Sequence, residues 1–295
     1  MVPTPFSADA AVVDRSSLVR LAGGLLDDGC TGLVALGAIA EPATLTAAER
    51  DAVVRDLGAV ARARGAGLVV GLAGTRTDDA VAEVRRSADL RRSADALLVP
   101  VPAPDARSTR RHLRAVHDAS GLPLVVQDLP RATGVTIGLD ELLRAVEGLD
   151  FVAAVKCESP PTFVAVAALV RHTDVVAMSG MGGTGLVADL HAGARAVALG
   201  ATPTRVLVAA VDAWQRGDVE ESLRLVGSVA TRCHVETQPG ASVAIRKEHW
   251  RREDRIASAS VRAPTPPWRP EEDGLDGLSA LLGLPDAVVR PPVPG

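Results

Sequence analysis

Short apolar runs alternate with longer stretches of helical periodicity along most of this chain, the pattern of repeated strand-helix units on a parallel sheet. Apolar runs at Gly32 to Leu36, Gly67 to Gly71, Ala96 to Val99, Leu124 to Gln127, Val152 to Lys156, Val175 to Ser179 and Ala196 to Leu199 read as seven strands. An eighth would open the chain, but only Met1 to Pro5 precedes the loop and the helix expected over Asp14 to Asp28, so the first strand reads as clipped. Thr46 with Glu49 three residues on forms a capping box, and Thr75 to Asp79 is expected to open the next helix with polar caps. After the last strand the pattern is wholly helical, with helices expected over Arg205 to Trp214, Val219 to His234 and Ala241 to Trp250. From Ala263 prolines cluster, a weak amphipathic segment runs from Leu275 to Leu282, and Pro291 to Gly295 should be loose.

The expected fold class is therefore α/β, a (β/α)8 TIM barrel over 1–204, with a C-terminal helical layer over 205–262 and a Pro-rich tail with a short helix over 263–295. Composition agrees: 295 residues with 47% hydrophobic content suit one large barrel with an extension. A net charge of -4, 2% aromatic content and no tyrosine offer neither a basic stripe nor a stacking platform, so no nucleic-acid partner is expected. No apolar run approaches the ~18 residues of a membrane span, and the opening residues lack a basic region followed by an apolar core, which points away from membrane and secretion toward a cytoplasmic protein. Cys30, Cys157 and Cys233 lie far apart, and none of the six histidines falls at a strand end, so no metal is expected.

One residue changes this picture from fold to chemistry. Of 32 basic residues only Lys156 and Lys247 are lysines, and Lys156 closes the apolar run Phe151 to Val155. Arginine cannot lose its proton in a protein, whereas a desolvated lysine can fall from ~10.4 toward ~7 and attack a carbonyl as a neutral amine. From the strand alone, a side chain reaching out into solvent is an equal reading.

In a barrel of this kind chemistry sits at the carboxyl ends of the strands. Those ends carry Gly37-Ala38-Ile39-Ala40-Glu41, Gln127-Asp128-Leu129-Pro130, Lys156-Cys157-Glu158 and Ser179-Gly180-Met181-Gly182-Gly183. Together with Thr4-Pro5-Phe6, Thr44-Leu45-Thr46, Glu49-Arg50 and Thr133-Gly134-Val135, this ordered set resembles the pyruvate-dependent class I aldolases, the family of dihydrodipicolinate synthase and N-acetylneuraminate lyase. The resemblance covers nearly the whole chain. It implies that Lys156 is the Schiff-base lysine, condensing with a 2-oxo acid so that the protonated imine serves as an electron sink. It also implies a homo-oligomer, a dimer or a tetramer built from dimers, that Glu41 is structural, and that no cofactor is used.

The departures from the family pattern bear on mechanism. The family's Gly-Thr-Thr-Gly-Glu loop, which binds the substrate carboxylate, keeps its backbone donors here but has Ala38 and Ile39 where hydroxyls would stand. The family's Tyr-Asn pair is Gln127-Asp128, and an amide cannot shuttle protons at ordinary pH. The arginine of the family's Pro-Gly-Arg-Thr-Gly segment is displaced to Arg131. If the strand runs on past Lys156, Glu158 projects on the same side and can replace the phenol, unless it merely caps the helix beginning near Pro160. Asp128 is a second candidate, although its neighbour Gln127 points inward, which turns Asp128 toward the adjacent layer. Gln127 either bonds a substrate oxygen or packs at the barrel mouth. Ser179, Gly180 and the following glycines precede a helix, where backbone amides can receive a carboxylate or phosphate.

The reading that follows is a Schiff-base lyase, aldolase or dehydratase, acting on a small-molecule 2-oxo acid, possibly a 2-keto-3-deoxy sugar acid. The alternative is a barrel that has lost its proton shuttle and serves as a ligand-binding or regulatory protein. A third option, phosphate handling without a covalent step, rests only on the glycine loop.

Overall fold

The computed structural model describes residues 1–270, 272, 274, 275 and 277–284, so the expectation for Pro291 to Gly295 lies outside the described residues. Among the described residues seven parallel strands, β1 Gly32–Ala35, β2 Gly67–Gly71, β3 Ala96–Pro100, β4 Leu124–Asp128, β5 Val152–Cys157, β6 Val176–Ser179 and β7 Ala196–Val197, pair strictly in sequence order. Each of the first six is followed by at least one helix that returns the chain antiparallel to the sheet, the connection that parallel neighbours require.

Two rows of side chains explain why the strands are apolar throughout. Val34, Val69, Leu98, Val125, Ala154 and Met178 pack together on one face, the barrel interior. Leu97, Val99, Val126, Val155 and Cys157 alternate with them and pack against the surrounding helices. The opening residues lie between the ends of this curled sheet: the Val2 amide donates to the Val34 carbonyl at 3.0 Å, and the Met1 amine donates to Leu199, just after β7. Thr4 Oγ1 adds a 2.8 Å bond to the Ala40 carbonyl.

Most element boundaries fall within two residues of the sequence expectation. Asp14 caps the helix Arg15–Asp27, and Thr46 and Glu49 exchange both bonds of the capping box. Three boundaries differ for visible reasons. Leu36 leaves β1 because its backbone turns left-handed, with φ of 52°. The last strand is two residues long, although the Ala198 amide extends its ladder to Ser179. The helix expected to open at Thr75 begins at Thr77 behind Arg76, without a side-chain cap, and Thr77 Oγ1 instead meets His112 Nδ1 at 3.0 Å.

Helices Thr204–Gln215, Val219–Glu236 and Ser242–Arg252 follow β7, and a short helix, Leu278–Leu281, lies within the expected amphipathic segment. The Ser242–Arg252 helix is polar yet buried, so its charges must find partners inside the molecule. Lys247, wholly buried, bonds Glu41 in the loop after β1, and Glu41 also accepts the Arg262 amide at 2.9 Å. Both cations stand over the Phe6 ring, Lys247 Nζ 4.1 Å and the Arg262 guanidinium carbon 4.3 Å from its centroid. Removing the ammonium while leaving Glu41 buried should cost ~3–5 kcal/mol. Urea unfolding of Lys247→Met should show that loss, and pairing it with Glu41→Gln should recover part of it. A loss below ~1 kcal/mol would mean that the pair is dispensable.

Candidate active site

The strand register builds the site. Parallel pairing sets Gln127 of β4 beside Lys156 of β5, and Lys156 beside Met178 of β6, all in the interior row. The next row is Asp128, Cys157 and Ser179, facing the helices. The ladder continues one step past β5, with the Glu158 amide donating to the Asp128 carbonyl at 3.0 Å. Glu158 therefore returns to the Lys156 side.

Lys156 is 1% exposed, and its ammonium lies 2.9 Å from Glu158 Oε2. Burial of that charge is tolerable because the carboxylate faces it. The same Glu158 oxygen accepts Gln127 Nε2 at 2.6 Å, while Oε1 accepts the Met181 amide at 3.2 Å. The turn after β6 is shaped for this contact: a Cβ on Gly180 would collide with the Glu158 side chain, and Met181 and Gly182 follow in left-handed conformation. The Met1 thioether completes the surroundings, 3.1 Å from Lys156 Nζ.

Asp128 is nearly buried in the outer row, with Oδ1 lacking any hydrogen-bond partner. Burial, with the nearby Glu158 charge adding to it, pushes its carboxyl up to about 6. A folded-state value above the unfolded one means that this group's stabilising contribution is present below about 4 and is lost as pH rises through about 6. Asp128→Asn should flatten that decline by on the order of 1 kcal/mol in urea titrations across the window, and an unchanged slope would contradict the assignment.

The other residues singled out from sequence divide between mouth and frame. Ile39 leans over Gly200, where a Cβ would strike it, and Ala38 is exposed beside it in the turn Ala38–Ala40. Glu41, singled out at the end of β1, has both oxygens engaged by Lys247 and Arg262, so it fastens its loop to residues far along the chain. Ser179, considered for substrate binding, turns its hydroxyl into the outer row and donates to Asp189 at 2.6 Å. Thr162 bonds the second Asp189 oxygen, and burial raises that carboxyl. Arg131 is exposed and donates to the Thr237 carbonyl at 3.1 Å. Sequence reasoning did not single out Arg246, which reaches the turn after β6 from the Ser242–Arg252 helix. Among the described residues no cluster of three or more His, Cys, Asp or Glu could hold a metal ion, and no helix is long and apolar enough to cross a membrane.

Comparison with known proteins gives this arrangement its kinship. The 4-hydroxy-tetrahydrodipicolinate synthase of Acidothermus cellulolyticus is 34% identical over 231 residues, covering 75% of this chain and 71% of that protein. Synthase 1 of Streptomyces coelicolor is 38% identical over 159 residues, where the match spans 52% of this chain and only 50% of that relative. Among solved structures, dihydrodipicolinate synthase from Rhodopseudomonas palustris superposes with a TM-score of 0.83 at 23% identity, covering 94% of both chains. YagE from E. coli K12, solved in complex with pyruvate, gives 0.83 at 21% identity and covers 96% of this chain and 97% of its own. At such identities these structures speak for the α/β barrel fold alone. The sequence profile of the Dihydrodipicolinate synthetase family matches residues 1–273, and the chain belongs to that family of class I aldolase-type lyases.

Proposed function

We propose that this protein is a Schiff-base-forming lyase that cleaves or dehydrates a 2-oxo acid, with Lys156 as nucleophile and Glu158 as proton carrier. The observation that carries the reading is the buried Lys156 ammonium 2.9 Å from Glu158, at the carboxyl end of a barrel strand. Transfer of one proton from Lys156 to Glu158 frees the amine, which adds to the substrate's C2 carbonyl. Proton exchange through Glu158 then places a proton on the carbinolamine hydroxyl, which leaves as water. In cleavage Glu158 takes the proton of the C4 hydroxyl, and the C3–C4 bond breaks with its electron pair passing into the iminium. The C4 fragment leaves as an aldehyde and the enamine is protonated at C3. In dehydration the pair comes from C3–H, whose proton goes to Glu158, and the C4 hydroxyl takes that proton and leaves as water. Hydrolysis of the imine then restores the amine. Gln127 holds the Glu158 carboxylate through its 2.6 Å bond but cannot titrate, so it positions rather than shuttles. Ala38 and Ile39 leave recognition of the substrate carboxylate to the backbone of their turn, and Gly180 to the amides of the next, while Asp128 stands behind Glu158 as a further proton carrier.

The same reading takes 1–204 as the barrel, 205–262 as a helical layer packed on it and 263–295 as a Pro-rich tail with a short helix, with a shortened first strand at Met1 to Pro5. It also takes the protein as a cytoplasmic homo-oligomer, a dimer or tetramer, using no cofactor. Steady-state assays for aldehyde release or dehydration across a panel of 2-oxo acids test the function. Turnover of at least one is expected, while binding without turnover throughout would favour a ligand-binding barrel instead.

A further inference from the structure

The chain has three methionines, and all three stand around the nucleophile. Met178 pairs with Lys156 between β5 and β6, the Met181 amide bonds Glu158, and the Met1 sulfur lies 3.1 Å from Lys156 Nζ. The imine steps need none of these sulfurs.

Met1 is held at both ends. The Val2 amide donates to the Val34 carbonyl at 3.0 Å and the Met1 amine to that of Leu199, which fixes the backbone between the ends of the sheet. At the other end a Cβ on Gly37 would stand 2.1 Å from the Met1 methyl, so the glycine leaves room for the tip of the side chain. The residue is half-buried, and its thioether is a weak acceptor for the ammonium.

A sulfur in that place has a chemistry that an alkyl chain lacks. A sulfur lone pair attacks hydrogen peroxide, an S–O bond forms as the O–O bond breaks, and sulfur gives up two electrons to the peroxide. The departing hydroxide takes the proton from the oxygen now on sulfur and leaves as water. The sulfoxide oxygen is a polar acceptor where a weak one stood, so it competes with Glu158 for the Lys156 ammonium and occupies space beside it. The thiols are poor rivals for the peroxide. Burial pushes those of Cys157 and Cys233 up to about 12 and raises that of Cys30, so none is a ready thiolate.

We propose that Met1 is a site of reversible oxidation by hydroperoxides, and that its sulfoxide silences the Lys156 amine. The consequence for turnover rests on Lys156 as the imine-forming amine.

Increasing doses of hydrogen peroxide on the full chain, with peptide mapping of each methionine and borohydride trapping of pyruvate at each dose, test it. Met1 should gain one oxygen before Met178 and Met181. Adduct formation on Lys156 should slow roughly 10- to 100-fold in the Met1 sulfoxide, the scale of one charge-assisted hydrogen bond, and methionine sulfoxide reductases should restore it. Protein produced with norleucine in place of methionine loses these three sulfurs alone, and its trapping should be indifferent to peroxide. In Met178→Leu/Met181→Leu, which keeps only Met1, peroxide should still slow trapping. Should that variant fail to fold, the peptide map of the parent decides in its place. Oxidation of Met178 or Met181 ahead of Met1, trapping unchanged after full oxidation of Met1, or equal silencing of the norleucine protein overturns the proposal. Competitive acetylation of Lys156 with acetic anhydride reads the amine without any imine and keeps the two readings separate. Acetylation that slows with Met1 oxidation, in a protein that never traps pyruvate or a larger 2-oxo acid, would sink the imine and leave the oxidation site standing. Adducts that form equally before and after oxidation would do the reverse.

Discussion

Lys156→Ala should lower turnover of any 2-oxo acid substrate by ~1000-fold or more, because the covalent route disappears with the amine. The only other lysine, Lys247, is wholly buried in its pair with Glu41 and cannot take over. Burial pushes the Lys247 amine down to about 8, yet Glu41 and the Phe6 ring hold it in place. Lys156→Arg separates charge from nucleophilicity. It keeps a cation near Glu158 but offers a group that does not deprotonate, so it should be as inactive as the alanine variant. Stopped assays for aldehyde or dehydrated product, beside thermal melts to confirm folding, provide the check. Retention of more than about a tenth of the parent rate in either folded variant would exclude imine catalysis by Lys156.

Glu158→Gln should lower turnover by ~100-fold or more while leaving covalent trapping at Lys156 in place. Glutamine keeps the shape and can still accept the Met181 amide, but it neither takes the lysine proton nor returns one to the departing hydroxyl. The loss should fall on kcat more than on KM, because proton transfer belongs to the chemical steps. If Glu158 were only a brace, the variant would lose folding stability or trapping yield instead. Equal rates for variant and parent would remove it from the mechanism and pass the role to Asp128, whose carboxyl is already raised to about 6.

The pattern of apolar runs was enough to place all seven strands, because strands buried on both faces must be apolar along their whole length. Strand periodicity likewise placed Glu158 on the Lys156 side of β5 and Asp128 on the other, a local rule needing no knowledge of the rest of the fold. What escaped the sequence was partnership across the chain. Glu41 and Lys247 stand 206 residues apart, and nothing local to either announces the pair. Ser179 sat at a strand end with glycines after it, yet the alternation that aims Glu158 inward aims this hydroxyl outward, where Asp189 waits one helix later. Arg246 was hidden among the charges of a polar helix, where no local pattern marks which of them are buried. Only the packing of that helix reveals that its guanidinium is buried, with Nε lacking a hydrogen-bond partner.

Borohydride reduction of the protein with a turned-over 2-oxo acid, followed by mapping of the modified peptide, tests the central claim most directly. The account predicts one adduct per chain on Lys156, with the mass of the reduced substrate imine, and its absence from Lys156→Ala. An adduct on Lys247 or the Met1 amine, or turnover that leaves no adduct at all, would contradict it.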